Sequence, residues 1–386
     1  MSVSPSRPVR PTVPVDTRGV TRPAEPRPRD EVRESALIRA CESGLVPDAV
    51  IRYGMRTLLR QRLRDEHRRD GERQADAFAQ LVAELRASPI AIETQAANTQ
   101  HYALPAGFFA AHLGPQLKYS CGLYPRGDET LAAGEIAMLE CYAERAGLAD
   151  GQRVLDLGCG WGSLTLWLAA RYPRMQIVAL SNSAQQRAFI ETRCAERALT
   201  NVRVLTGNVV DFDFNGELAA LRGERGFDRV LSVEMFEHMK HYGLLLAKIA
   251  RWLADDGKLF VHLFAHTTLA YHFENRDGGD WMSRYFFTGG TMPSAALLLN
   301  FQDDLRVTRQ WWVNGRHYER TANQWLAALD AVRGDVLPLF VDTYGARDAA
   351  RWFQRWRMFY MAVAELFGYA RGEEWGVAHY LFERRA

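Results

Sequence analysis

Five cysteines in 386 residues leave little for a disulfide framework. Cys41, Cys121, Cys141, Cys159 and Cys194 are odd in number and form no C-x-x-C pair, so a structural zinc site is not expected either. Free thiols of this kind point to a reducing cytoplasm and to no metal. No stretch reaches the roughly 18 unbroken apolar residues of a membrane-spanning helix. The N-terminus lacks an apolar run behind its basic residues, so it does not read as a signal peptide. An internal repeat is also missing.

Net charge is small, +2 over the chain, and it is unevenly spread. Residues 1–30 hold six arginines against Asp16, Glu25 and Asp30, together with seven of the 15 prolines. That composition packs poorly and reads as a disordered tail. The remaining body is close to neutral, which argues against nucleic acid as a partner.

Beyond the tail, the chain is amphipathic and helical up to about residue 115. Pro47 suits the first turn of a helix carrying Ile51, Met55, Leu58, Leu59 and Leu63, and a second helix carries Phe78, Leu81, Val82 and Leu85. From residue 116 onward the texture changes. Short apolar strands at 153–157, 176–180, 202–205, 227–233 and 257–264 alternate with helices at 163–170, 184–198 and 242–253. Such alternation predicts an α/β fold with a doubly wound, mostly parallel sheet. Residues 265–300, rich in aromatics and glycine, read as an inserted lid. Strands near 305–313 and 377–384, with helices at 321–332 and 346–367, close the pattern.

The first strand runs into Asp156-Leu157-Gly158-Cys159-Gly160-Trp161-Gly162. Glycines there let backbone N–H groups approach a ligand beside a helix N-terminus. The spacing differs from the dinucleotide pattern G-x-G-x-x-G, and an acid opening the turn suits an ammonium better than a pyrophosphate. The second strand ends Ala179-Leu180-Ser181-Asn182-Ser183, without the acid that usually holds a ribose. A second constellation, Glu234, Glu237 and His238, follows the fourth strand, where open α/β sheets place ligands. Two carboxylates and an imidazole form an acid/base cluster. The alternative for these residues is a polar strand end that caps the next helix.

Tyr119-Ser120-Cys121-Gly122-Leu123-Tyr124, the D-L-G-C-G-W-G turn, and Ser181 with Gln186 together resemble the cyclopropane fatty acid synthase superfamily. Within it the chain is most similar to the coclaurine N-methyltransferases and their relatives. The pieces that carry this are S-V-E-M-F-E-H-M-K at 232–240, Y-H-F-E at 271–274, W-M-S-R-Y-F-F-T-G-G-T-M-P-S at 281–294, F-Q-D-D at 301–304, H-Y at 317–318, and A-E-L-F-G-Y and A-H-Y-L-F-E near the C-terminus. The likeness runs from about residue 35 onward.

The resemblance implies a class I methyltransferase Rossmann-like fold that uses S-adenosylmethionine. It places Tyr119, Ser120, Gly158, Gly160, Gly162, Ser181, Gln186 and Val233 at that cofactor, with Asn208 and Val209 beside the adenine. Asn208 stands where many methyltransferases have aspartate. It also implies that Cys121, Glu237, His262 and Tyr318 match the residues that surround a bicarbonate in the lipid enzymes. Where those enzymes have a small residue this chain has Glu234, as the amine enzymes do, and a carboxylate suits a cationic amine.

The expected activity is methyl transfer to a small aryl or alkaloid-type amine. Glu234 would hold the ammonium, Glu237 and His238 would take its proton, and Trp281, Tyr285, Phe286 and Phe287 of the lid would stack on it. Two other readings stay open: a cyclopropane or C-methyl fatty acyl synthase, and a non-catalytic cofactor-binding protein. The amine's identity and the choice between monomer and homodimer are not legible.

Overall fold

A computed structural model describes residues 35–67, 70–92, 104–273 and 281–385. The Pro/Arg tail lies outside the described residues. Seven strands form one sheet: β1 (Arg153–Leu157), β2 (Gln176–Ser181), β3 (Val202–Thr206), β4 (Phe227–Val233), β5 (Leu253–His266), β8 (Leu305–Val313) and β9 (Trp375–Arg384). A separate two-stranded antiparallel sheet pairs β6 (Tyr271–His272) with β7 (Thr291–Met292). Sheet order is β3-β2-β1-β4-β5-β9-β8. The first four pairings are parallel, and β9 runs antiparallel between β5 and β8. This is the mostly parallel α/β sheet expected from the alternation, in the class I methyltransferase arrangement that the resemblance implies.

β1, β2 and β5 are buried along nearly their whole length, as continuous Val/Ile/Leu/Phe runs require when helices cover both faces. On one face lie Tyr142, Phe260, Phe108 and Trp356; on the other lie Trp252, Ile249, Leu246 and Phe227. Full burial of such a side chain contributes about 1.5–3 kcal/mol. Helix Leu131–Ala146 begins at Thr130, whose hydroxyl accepts from the Ala133 N–H, and stops at Gly147 in the left-handed conformation.

Helix Asp48–Glu66 starts just after Pro47, as its sequence predicts. It packs on helix Ala349–Gly368, so the N-terminal helices are joined to the C-terminal ones. Ala36–Glu42 and Ala106–His112 fall within the expected helical region, whereas Leu131–Ala146 and Arg333–Tyr344 lie where no element was expected. The last holds Pro338 in its interior, a breaker signal outweighed by burial of Val336 and Phe340. Helix Arg316–Ala331 begins five residues before the expected start, and β5 starts at Leu253, directly after helix Tyr242–Trp252. Among the described residues no helix is long and apolar enough to cross a membrane.

Candidate active site

One continuous cavity opens at the C-terminal ends of β1, β2 and β4. Its first half is lined by Tyr119, Ser120, Asp156, Gly158, Cys159, Gly160, Ser181, Gln186, Asn208 and Val209. Its second half is lined by Val233, Glu234, His238, Phe264, Phe287, Tyr318, Trp325 and Phe359. Lys118 and Tyr142 also reach the wall.

The glycine turn is shaped by its backbone. Gly158 and Cys159 donate N–H bonds to the Leu180 carbonyl at 3.0 and 3.1 Å, which pins the turn to the end of β2. Gly160 has φ +52° with open space where a Cβ would project. Gly162, at φ +83°, caps helix Ser163–Arg171 and packs against Ile190, away from the cavity wall.

Several polar atoms here fit S-adenosylmethionine. Gln186 accepts from the Ser181 hydroxyl at 2.6 Å, and its own Nε2 is buried without a protein partner. The Ser163 hydroxyl on the same wall is in the same state. Buried donors left so are costly unless a ligand engages them. Asp156 accepts from the Thr165 hydroxyl at 2.6 Å, and burial pushes its carboxyl up to about 6. That is a desolvated acid in want of a cation.

Glu234 sits at the tip of β4 with φ +49°, a left-handed conformation that is strained for a residue with a Cβ. Its N–H donates to the His262 carbonyl at 2.9 Å, and the turn projects its side chain into the cavity wall. Two donors and an imidazole converge on the carboxylate. The Cys121 N–H reaches Oε1 at 3.1 Å, His262 Nε2 stands 3.2 Å from the same oxygen, and the Tyr318 hydroxyl donates to Oε2 at 2.7 Å. Burial raises the Glu234 carboxyl, and the nearby Lys118 charge opposes that rise. Lys118, itself buried, is depressed to about 8 by desolvation and hydrogen-bonds the Ser120 hydroxyl. Cys121, His262 and Tyr318, which the resemblance gives to a bicarbonate, are therefore spent on the chain's own carboxylate.

His238 faces the cavity and stacks on Phe287, with centroids 5.3 Å apart and planes 12° off parallel. Desolvation lowers it to about 4, so the ring is neutral at neutral pH. Glu237 is not brought to the cavity wall. It is fully buried, accepts the Phe264 N–H at 2.7 Å, and is raised well above the carboxylate range by burial and the Glu234 charge.

The lid aromatics also divide. Phe287 lines the cavity, whereas Trp281, Tyr285 and Phe286 pack into the protein. The Trp281 indole donates to Glu42 at 2.8 Å, Tyr285 pairs with Arg355, and Phe286 stacks on Phe359 at 4.4 Å. The short helix Trp281–Tyr285 turns them toward helix Ala349–Gly368, which corrects their expected place against the substrate. Lys118, Trp325 and Phe359 were missed. Only the neighbourhood of Lys118 to the Tyr-Ser pair hinted at any of them.

Comparison with known proteins places this geometry. The family model for mycolic acid cyclopropane synthetase matches residues 91–369. An (S)-coclaurine N-methyltransferase of Thalictrum flavum subsp. glaucum is 41% identical over 353 residues, covering 90% of this chain and 95% of the relative. An (S)-coclaurine N-methyltransferase of Papaver somniferum is 40% identical over 352 residues, covering 90% and 98%. A solved coclaurine N-methyltransferase, bound to N-methylheliamine and SAH, superposes with a TM-score of 0.85 at 38% identity, covering 90% of this chain and 98% of that one.

Proposed function

The chain belongs to the mycolic acid cyclopropane synthetase family, in its coclaurine N-methyltransferase branch, and from that membership we infer that the cavity takes a small, alkaloid-type amine for N-methylation. It is an S-adenosylmethionine-dependent methyltransferase. The observation that carries the amine reading is Glu234, a preformed carboxylate held at the cavity wall by the Cys121 N–H, the Tyr318 hydroxyl and the His262 ring.

When bound, S-adenosylmethionine supplies an electrophilic methyl group on a sulfonium sulfur. Tyr119, Ser120, Asp156, Gly158, Gly160, Ser181, Gln186, Asn208 and Val209 would hold it in the half of the cavity nearest the glycine turn, with Val233 meeting it from the other half. Glu234 faces the amine nitrogen and fixes it by a charge-assisted hydrogen bond. His238, neutral and beside Glu234, accepts the N–H proton, which leaves the nitrogen lone pair free to react. Trp325, Phe287, Phe359 and Tyr318 give the amine aromatic walls and exclude water. Holding nucleophile and electrophile in line accounts for about 7–11 kcal/mol of barrier in favourable cases.

Glu237 stands behind this arrangement. Neutral and buried, it accepts the Phe264 N–H and helps set the wall, rather than receiving the proton. The fatty-acyl reading fits less well, because a carboxylate in an acyl tunnel is costly and an alkene gains nothing from it. The five free cysteines support a cytoplasmic location.

Incubation with methyl-labelled S-adenosylmethionine, a panel of isoquinolines and aryl-alkylamines, and phospholipid vesicles tests the reading. Label is expected in a small amine. Label in phospholipid alone would overturn it.

A further inference from the structure

Behind Glu234 runs a line of side chains that begins at His262 and whose farther members, His379 and Arg145, have no part in the mechanism above. β5 and β9 pair with His262 opposite His379, which sets the two rings 4.8 Å apart. Both are fully buried. Nε2 of His379 lies 2.8 Å from Nδ1 of His262, and Nε2 of His262 lies 3.2 Å from Oε1 of Glu234. At the far end Arg145, on helix Leu131–Ala146, brings Nη1 within 2.6 Å of Nδ1 of His379. Its guanidinium also lies 5.1 Å from the Trp311 ring centroid, on the neighbouring strand β8.

The direction of every bond in this line follows from one fact: a guanidinium donates and never accepts. Nδ1 of His379 must then be bare, with its proton on Nε2. That proton points at His262, whose Nδ1 must also be bare. The His262 proton therefore sits on Nε2, facing Glu234. We propose that Arg145 and His379 are positioning residues that lock the tautomer of His262, so that an N–H, never a lone pair, meets the Glu234 carboxylate.

Tyr142 lies 2.8 Å from the same Nδ1, but a hydroxyl both donates and accepts and so fits either tautomer. Burial holds both imidazoles well below their ordinary range, so each carries one proton and the choice of nitrogen matters. With the opposite tautomers, the His262 lone pair would face the carboxylate. Glu234 would then have to take a proton, and its hold on a cation would weaken.

The functional consequence rests on Glu234 being the amine's anchor, whereas the lock itself does not, and the experiment separates the two. Ring nitrogens of enzyme carrying nitrogen-15 histidine are read by NMR without any amine present. In the unmodified enzyme His262 is expected to carry its proton on Nε2. Arg145→Met should give a mixture of tautomers, and Arg145→Lys, which restores a donor, should return the single form. Arg145→Met should also lose roughly tenfold in kcat/KM for the amine, chiefly through KM, with the acid limb of its pH profile displaced upward. A proton on Nδ1 of His262 in the unmodified enzyme overturns the proposal without any variant. An unchanged tautomer in folded Arg145→Met overturns it too. A shifted tautomer with unaltered amine kinetics supports the lock and overturns the amine-anchoring role of Glu234.

Discussion

Tyr318 donates its hydroxyl to Glu234 across 2.7 Å, from helix Arg316–Ala331 to the tip of β4, 84 residues apart in sequence. With the Cys121 N–H and His262 on the other oxygen, the carboxylate is oriented before any substrate arrives.

Replacing Glu234 by glutamine keeps size but removes charge, and sets an amide N–H₂ among donors. A charge-assisted hydrogen bond in a desolvated site contributes about 1.5–3 kcal/mol, so kcat/KM for the amine should fall roughly 10–150-fold. Affinity for S-adenosylmethionine, measured by calorimetry, should barely change. Full amine methylation by Glu234→Gln would remove the basis of the mechanism.

Because the Cys121 N–H, His262 and the Tyr318 hydroxyl already meet Glu234, the place those three would offer an external anion is taken. Turnover in carbon dioxide-free buffer should match turnover with added bicarbonate. Stimulation by bicarbonate would favour the acyl chemistry.

Asp156 gives cofactor binding a pH dependence. In the free protein its carboxyl lies at about 6, and a bound cation favours the ionised form. Below that pH, binding must expel a proton, so affinity should weaken by up to about tenfold per pH unit as pH falls. Above it the dependence should vanish. Titration calorimetry in buffers of different ionisation enthalpy checks this, and Asp156→Asn should bind more weakly with no such slope.

A protonated carboxyl is closely mimicked by a carboxamide. Glu237→Gln should keep the Phe264 contact and cost less than about threefold in kcat, well below the effect at Glu234. A loss in kcat as large as that of Glu234→Gln would restore Glu237 as a direct proton acceptor.

Glu42 and Arg355 form a buried ion pair at 2.8 Å, with Trp281 donating to the same carboxylate. Glu42→Ala strands the guanidinium in the interior and should destabilise the fold by about 3–5 kcal/mol in denaturant titrations. Replacing both partners by leucine and methionine should recover much of that loss.

Strands β1 to β5, the glycine turn and the Glu234–His238 segment were legible because each is local: a short run, its period and its neighbours fix it. What escaped is assembled from distant chain. His262 and His379 meet through the antiparallel β5–β9 pairing, and Arg145 reaches them from helix Leu131–Ala146, neither of which any local spacing encodes. Lys118, Trp325 and Phe359 sit in segments where a core role reads the same as a site role. Trp281, Tyr285 and Phe286 show the converse. Aromatic richness was visible, but which side of a five-residue helix faces the cavity depends on Arg355 and Phe359, some 70 residues away.

The place of β9 between β5 and the edge strand β8 bears on how the enzyme is made. A ribosome delivers β1 to β5 first, then β8, and only afterwards the strand that slides between β5 and β8. Until then β5 keeps a bare edge of unpaired backbone groups, the kind of surface that invites association with other nascent chains or capture by chaperones. The glycine turn and its neighbours in β1, β2 and β4 are already synthesised at that stage. A product cut short before Trp375 would contain those cofactor-side residues yet lack His379, so the backing of His262 is completed only after the cofactor side has been synthesised.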